Sequence, residues 1–295
     1  MQLSSPSCGS WRASIYVVHS PNPPVKPCAT LVLNRNLPDV TNRLVDHLLK
    51  WNADTTDIYV IESGSTPEGR SRHGGFVADW PEAVQNGLRF ARGFNFGLAE
   101  LEQQRKYEQY FLVCQDSVFP DEPTVGILLE EMARFPRLGI LSPASPDWGE
   151  AKLIPERQLR LFWFINLIGW MVRGTFLDVV KNTEAPSHLN YFFDGSNFRG
   201  YDTDIEIVAK AYANDFAAGI TKRACFKEDK DLTDRMSGVM KTEPQRLNRP
   251  AMFEEGRRWL RRKYGFNSRW NMVAYTKTFY NQFFEHHPDY RDLRV

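Results

Sequence analysis

Three times in this chain a short apolar run closes on an acid: IYVIESGS (58–65), YFLVCQDSVFP (110–120) and, more loosely, NYFFDGSNFRGYDTDIEIVAKAY (190–212). A β-branched and aromatic run of that length predicts a buried strand. A carboxylate at its carboxyl end then emerges at the rim of a sheet, where open α/β folds take their ligands. One such acid means little, because strands must end somewhere. Three in one sheet point to a site that handles a nucleotide, a phosphate and a proton.

The segments between these runs predict the rest of the sheet. ATLVLNRN (29–36) reads as the first strand, and Pro38 opens a helix through Asn52 whose apolar residues Val40, Leu44, Val45, Leu48 and Leu49 recur at helical spacing. The strand ending at Glu62 is followed by a loop rich in Gly, Ser and Arg and by a short strand, FVAD (76–79). A helix is expected over 95–107, then YFLVC, a helix over 124–135 and the strand LGILSP (138–143). This β-α-β-β-α-β-α-β order predicts an α/β fold, a mostly parallel sheet flanked by helices. Beyond residue 150 come the strand-like LRLFWFINLIGWMV (159–172), a helix over 174–182, and a basic, aromatic, helical C-terminal segment.

The predicted organisation is an extended lead-in over 1–27 with a minor strand near 15–19, a catalytic domain over 28–245 and the segment 246–295. The domain divides into a nucleotide-binding half, 28–145, and an acceptor half, 146–245. A chain of 295 residues is long enough to bury a full core. Its formal net charge of +1 argues against bulk binding to nucleic acid or to an anionic membrane. The four cysteines, Cys8, Cys28, Cys114 and Cys225, show no metal-ligand spacing and read as thiols. No secretory signal is expected, and 159–172 is too short to span a bilayer and holds Arg160 and Asn166. A cytoplasmic protein is expected, with peripheral membrane contact left open.

The acids carry the chemistry. Asp116, just past its strand, is placed to reach a divalent cation or a diphosphate, since hard cations favour oxygen ligands and share their shell with phosphates; an ordinary turn acid is the plainer account. Glu62 precedes Ser63, Gly64 and Ser65, small residues that let backbone approach a ligand, and can accept hydrogen bonds from a base or ribose. Thr203 and Glu206 match capping-box spacing, so a helix should begin there with Asp202 at its entrance, positioned as a general base. Asp204 and Glu206 equally suit the helix dipole. Trp163 and Trp170 are candidates to stack on an acceptor sugar, although core packing is the commoner fate of such residues.

Taken in order, these residues resemble a nucleotide-sugar glycosyltransferase of the GT-A (Rossmann-like) fold, in the large inverting group similar to glycosyltransferase family 2. The resemblance runs over about residues 28–265. TLVLNRN is similar to that family's opening strand, VIESGS to its second strand end, and ARGFNFGLAEL (91–101) to its Asn-x-Gly helix start. CQDSVFP aligns with its metal motif, with Cys114 where a first acid or amide is expected, and YDTD aligns with Glu-Asp-x-Asp, with Tyr201 in place of Glu. INLIGWMVRGTFLDVV resembles the approach to the acceptor side, and FEEGRRWLRRKYG a closing basic, aromatic-Gly motif.

The resemblance implies transfer of a sugar from a UDP, GDP or dTDP sugar to a glycan or other acceptor hydroxyl with inversion. It implies Asp202 as base, Asn34, Glu62, Ser63, Arg92, Asn95 and Asp116 at the nucleotide, and Mn or Mg at Asp116. Trp170 and Asp204 fall on the acceptor side. The departing diphosphate would be stabilised by that metal, or by Arg92 with Arg257, Arg258, Arg261, Arg262 and Lys263. Two other classes stay open: a nucleotidyltransferase of the same fold, and a catalytically weak relative that binds a glycan or a partner protein.

Overall fold

The structure, a computed structural model, describes residues 26–166 and 168–295. The minor strand expected near 15–19, Cys8 and nearly all of the 1–27 lead-in lie outside the described residues. In the first half, β1 (Cys28–Asn34), α1 (Pro38–Asn52), β2 (Thr56–Ser63), β3 (Gly75–Ala78), α2 (Pro81–Asn86), α3 (Arg89–Gln104) and β4 (Gln109–Cys114) follow in order. Then come β5 (Ser117–Val118), α4 (Thr124–Arg134), β6 (Leu138–Ala144), β7 (Leu159–Leu161), β8 (Gly169–Arg173) and α5 (Gly174–Val180). The chain continues with α6 (Thr203–Ala213), β9 (Ala217–Cys225), β10 (Lys227–Glu228), α7 (Leu232–Met240), α8 (Gln245–Tyr264) and α9 (Arg269–His286).

Among the described residues the main sheet has eight strands in the order β3-β2-β1-β4-β8-β6-β9-β7. The block β3-β2-β1-β4 is parallel, as is the pair β6 and β9. The expectation of a mostly parallel sheet needs amending in its second half. Strand β8 lies antiparallel between β4 and β6, and β7 pairs antiparallel with the edge of β9. The stretch 159–172, expected as one strand-like segment, is divided between β7 at the sheet edge and β8 near its centre. Both carry apolar residues because both are covered: Leu159 and Leu161 are buried, and Trp170, Met171 and Val172 fully so.

Helix α1 matches its periodicity, burying Thr41, Leu44, Val45 and Leu48 against the sheet, while Leu49 faces outward. Burying each of the two leucines contributes about 1.5–3 kcal/mol. Helix α3 starts at Arg89 rather than at 95, so the Asn-x-Gly motif falls inside it. The glycines serve packing there. A Cβ on Gly93 would stand 2.5 Å from Leu33 Cδ1, and one on Gly97 2.3 Å from Ile61 Cδ1, so only glycine lets the helix lie this close to β1 and β2. Helix α9 packs on α6, where Ile205, Ala209, Trp259, Leu260 and Met272 form a small second core. It also sends Tyr280, Phe283 and Phe284 into the main core. No helix among the described residues is long and apolar enough to cross a membrane.

Candidate active site

Because β1, β2 and β4 are parallel and in register (Asn34 beside Glu62, Leu33 beside Cys114), their carboxyl ends share one edge of the sheet. Asn34, Glu62, Ser63 and Asp116 therefore arrive together. Their roles on that edge differ from one another.

Asn34 is fully buried and its amide has no capacity left for a nucleotide. Its Nδ2 donates to Glu62 Oε2 at 2.8 Å and to the Gly69 carbonyl at 3.1 Å, while Oδ1 accepts from Leu37 N and Thr41 Oγ1. The nucleotide contact expected of Asn34 is thus corrected to a positioning role. Glu62 is buried too, takes a second hydrogen bond from Ser71 N at 2.8 Å, and has its pKa raised by burial against the opposing pull of these bonds. Ser63 accepts from Leu88 N at 2.7 Å and lines a cavity of about 240 Å³.

Asp116 lines the same cavity. Asp116 also lines a neighbouring cavity of about 250 Å³, and Gln115 and Leu232 are shared between the two. Its Oδ1 is buried without a hydrogen-bond partner. Burial, and then the Glu228 and Asp229 carboxylates, push its pKa up to about 7. The two-residue ladder of β5 with β10 pairs Ser117 with Glu228, which is what brings that second acid near. An orphaned buried oxygen beside like charges fits a hard divalent cation whose remaining ligands come from phosphate and water. Among the described residues no group of three or more His, Cys, Asp or Glu side chains is placed to hold a metal by itself.

Arginines unforeseen in the sequence line the same cavity: Arg35, Arg89 and Arg199. Arg35 donates to five backbone carbonyls, those of Ser63, Ala83, Val84, Gln85 and Met240. Burial and the nearby Arg89 lower its pKa to about 10. Gly87, at φ +69°, gives it room, since a Cβ there would lie 2.6 Å from Arg35 Nη1. Arg89 and Arg199 both bind Glu243, Arg199 at 2.7 Å. Burial acts against the Glu243 charge, but hydrogen bonds from backbone and from both arginines hold its pKa at about 2.

Arg92, expected at the nucleotide, turns away from this cavity. It donates to the Gly195 carbonyl at 2.8 Å, pairs with Glu82 at 3.1 Å, and stacks over Phe198. Asn95 is another correction. It is fully buried, with Oδ1 accepting from Phe192 N and Phe193 N and Nδ2 donating to the His188 and Phe193 carbonyls. It fastens the 188–193 loop to α3 and leaves nothing for a nucleotide. Trp170, expected at the acceptor, is fully buried in β8 with its indole N–H on the Asn166 carbonyl at 2.9 Å. Core packing is its role.

Asp202 stands at the N-cap of α6, where it holds φ +71°. The helix begins at Thr203 with Asp202 at its entrance as expected, but no capping box forms: Thr203 Oγ1 donates to the Gly200 carbonyl and the Asp202 side chain caps nothing. That carboxylate is buried, and its Oδ1 lacks a hydrogen bond; Arg269 Nε approaches to 3.4 Å, an ion-pair distance. Burial and Asp204 push its pKa up to about 7, with Arg269 pulling the other way. Asp204, in the first turn of α6, is also raised by burial and meets Arg269 at 4.0 Å. Tyr201, in the place of an expected acid, packs against Phe253 with the rings tilted and accepts from Arg269 at 3.1 Å.

The cavity beside Asp202 measures about 240 Å³ and is lined by Tyr201, Phe253, Arg257 and Trp270 among others. It is not the cavity of Asp116. Arg199, which lines the Asp116 cavity, precedes Asp202 by three residues in the chain. Of the basic run, Arg257 and Arg258 are solvated, with side chains 61% and 72% exposed. Lys263 is held between Asp194 and Glu206, each at 2.6 Å.

No protein-family model and no curated protein sequence matches the chain. Among solved structures it is similar to the mannosyltransferase PcManGT from Pyrobaculum calidifontis, determined in complex with GDP-Man and Mn2+. The TM-score is 0.50 at 11% identity, over 88% of this chain and 76% of that one. Two S. aureus TarS structures align at TM-scores of 0.47 and 0.46 with 14% and 12% identity, over 84% and 81% of this chain and 45% and 74% of theirs. The likeness to the mannosyltransferase is one of fold: a large sheet flanked by helices in a glycosyltransferase-like Rossmann arrangement.

Proposed function

We propose that this chain transfers a sugar from a nucleoside-diphosphate sugar to an acceptor hydroxyl with inversion, as a GT-A enzyme similar to glycosyltransferase family 2. The observation that carries the reading is Asp202: a buried carboxylate at a helix entrance, one oxygen without a hydrogen bond, its pKa pushed up to about 7. A base poised near the working pH is what proton abstraction from an alcohol asks for. Asp202 takes the acceptor proton as the acceptor oxygen bonds to the anomeric carbon, and the diphosphate leaves from the opposite face. Arg269 keeps enough of the carboxylate ionised to serve.

Asp116 receives the diphosphate end of the donor, with Glu62 and Ser63 on the same strand edge toward the nucleoside. A divalent cation, Mn or Mg, bound at Asp116 would supply neutralisation of the charge that gathers on the leaving diphosphate. The fold relative solved with GDP-Man and Mn2+ supports a nucleotide-sugar donor and a metal. Asp204 and the exposed Trp270 stand near the acceptor side of Asp202.

The reading is tested by thermal shift with UDP, GDP and dTDP, each with and without manganese. At a ligand concentration 100 times Kd, binding adds about 2.7 kcal/mol of stability. One nucleotide is expected to raise the melting temperature by several degrees, more with manganese. Failure of all three in both conditions would end the transferase reading.

A further inference from the structure

We infer that Arg89 and Arg199 form an anion site that Glu243 fills in this structure, and that the ligand it stands in for is the donor's diphosphate. The inference rests on the sugar-transfer reading for the identity of that ligand, and on geometry for the site itself.

Glu243 lies between α7 and α8, and each of its carboxylate oxygens takes one guanidinium: Oε2 meets Arg89 and Oε1 meets Arg199 at 2.7 Å. An oxyanion divided between two arginines is the arrangement by which phosphates are also gripped, because the guanidinium remains charged and presents several donors in one plane. Arg89 is incompletely served by this carboxylate. Its Nε is buried with no acceptor. Both arginines also lie over the Phe198 ring, with guanidinium carbons 5.5 and 6.0 Å from its centre. Arg199 is braced further by Glu255 at 3.0 Å and Asn248 at 3.2 Å.

Position supports the same assignment. Arg89 and Arg199 line the cavity that Asp116 also lines, so an anion between them borders the candidate site. That cavity measures about 240 Å³. Small-molecule clefts usually run to about 300–1,000 Å³. Met240 and Thr242 line it, and Leu232 of α7 stands between it and the neighbouring cavity of about 250 Å³ that Asp116 also lines. Lifting α7 and the segment to Glu243 would join the two spaces and clear both arginines at once. The segment is held by polar contacts rather than by packing: Leu232 is the one buried residue of α7, and the Met240 carbonyl accepts from Arg35 at 2.6 Å.

Inorganic pyrophosphate is the probe, titrated calorimetrically into wild type, Glu243→Gln, Glu243→Asp and Arg89→Gln, with native circular dichroism as the control for folding. Removing the internal competitor should tighten pyrophosphate binding about tenfold in Glu243→Gln. Glu243→Asp, too short to reach both arginines, should give a smaller gain, and reads the same effect if Glu243→Gln does not fold. Arg89→Gln should lose about tenfold. In wild type, amide exchange over 232–244 should speed up on adding pyrophosphate. Equal or weaker binding by the folded Glu243 variants overturns the inference, even if nucleotides bind. Tighter binding by them, with UDP, GDP and dTDP all inert, upholds the anion site and instead removes sugar transfer.

Discussion

Asp116 and Asp202 are both carboxylates with a buried oxygen that accepts no hydrogen bond and a pKa pushed up to about 7, yet their neighbourhoods differ. Around Asp116 the charges that act are acids, Glu228 and Asp229, and nothing cationic lowers its pKa. Around Asp202 one acid, Asp204, is balanced by Arg269. An acid among acids accumulates a negative field that an incoming cation relieves. An acid between an acid and an arginine is poised, able to gain or lose a proton at little cost. Burial sets the pKa in both places, and the neighbours decide what the group is good for.

The largest expected effect breaks the pair apart. Asp202→Asn should lower kcat by ~10²–10⁴ while nucleotide affinity holds, and Asp116→Asn should instead weaken nucleotide binding in manganese. Single-turnover rates and calorimetry on both variants would show it. Unchanged turnover in Asp202→Asn removes that residue as base.

The next effect tests what the two sites share. Each acid has a folded pKa near 7 against an ordinary 3.8, so between those values the folded protein holds a proton that the unfolded chain has lost. Stability contributed by that proton is present below pH 4 and is lost as pH rises toward 7. Asp116→Asn and Asp202→Asn should therefore each stabilise the fold at pH 8, by ~1–4 kcal/mol, and hardly at all at pH 4. Denaturant midpoints at the two pH values measure this, and a destabilised Asn variant at pH 8 contradicts it.

A smaller effect sharpens the contrast. Because Arg269 lowers the Asp202 pKa, Arg269→Gln should move the acid limb of the kcat/KM profile to higher pH and leave manganese dependence alone. A limb that stays in place separates Arg269 from the base. Last, Trp170→Phe should lower stability through the cavity it leaves in the core and through its indole hydrogen bond, the latter about 0.5–1.5 kcal/mol, with no change in acceptor KM.

Legibility in the sequence followed range. Helix α1, the strands that end at Asn34, Glu62 and Cys114, and the start of α6 were readable because periodicity and capping are local. Asn95 and Asn34 carry a nucleotide role only through the resemblance, and their own surroundings assign them to the fold instead. Sequence cannot tell an amide that meets a ligand from one that fastens a loop across 98 residues, as Asn95 does to Phe193. Trp170 was ambiguous because both fates of a tryptophan look alike until the strand's neighbours are known. Arg35, Arg89, Arg199 and Glu243 gave no signal, since the partners that define their cluster stand 44 to 205 residues apart.

The Arg35 guanidinium gathers carbonyls from the ends of β2, α2 and α7, and its Nε partner, Met240, is 205 residues downstream. A ribosome adding ~5–20 residues per second reaches that partner about 10–40 s after Arg35 is made. Until then one donor of a buried cation has no protein acceptor, and the edge of the sheet that carries Glu62 and Ser63 stays incomplete. The nascent chain thus closes this rim late in its synthesis, with only α8, α9 and the C-terminal turn still to follow.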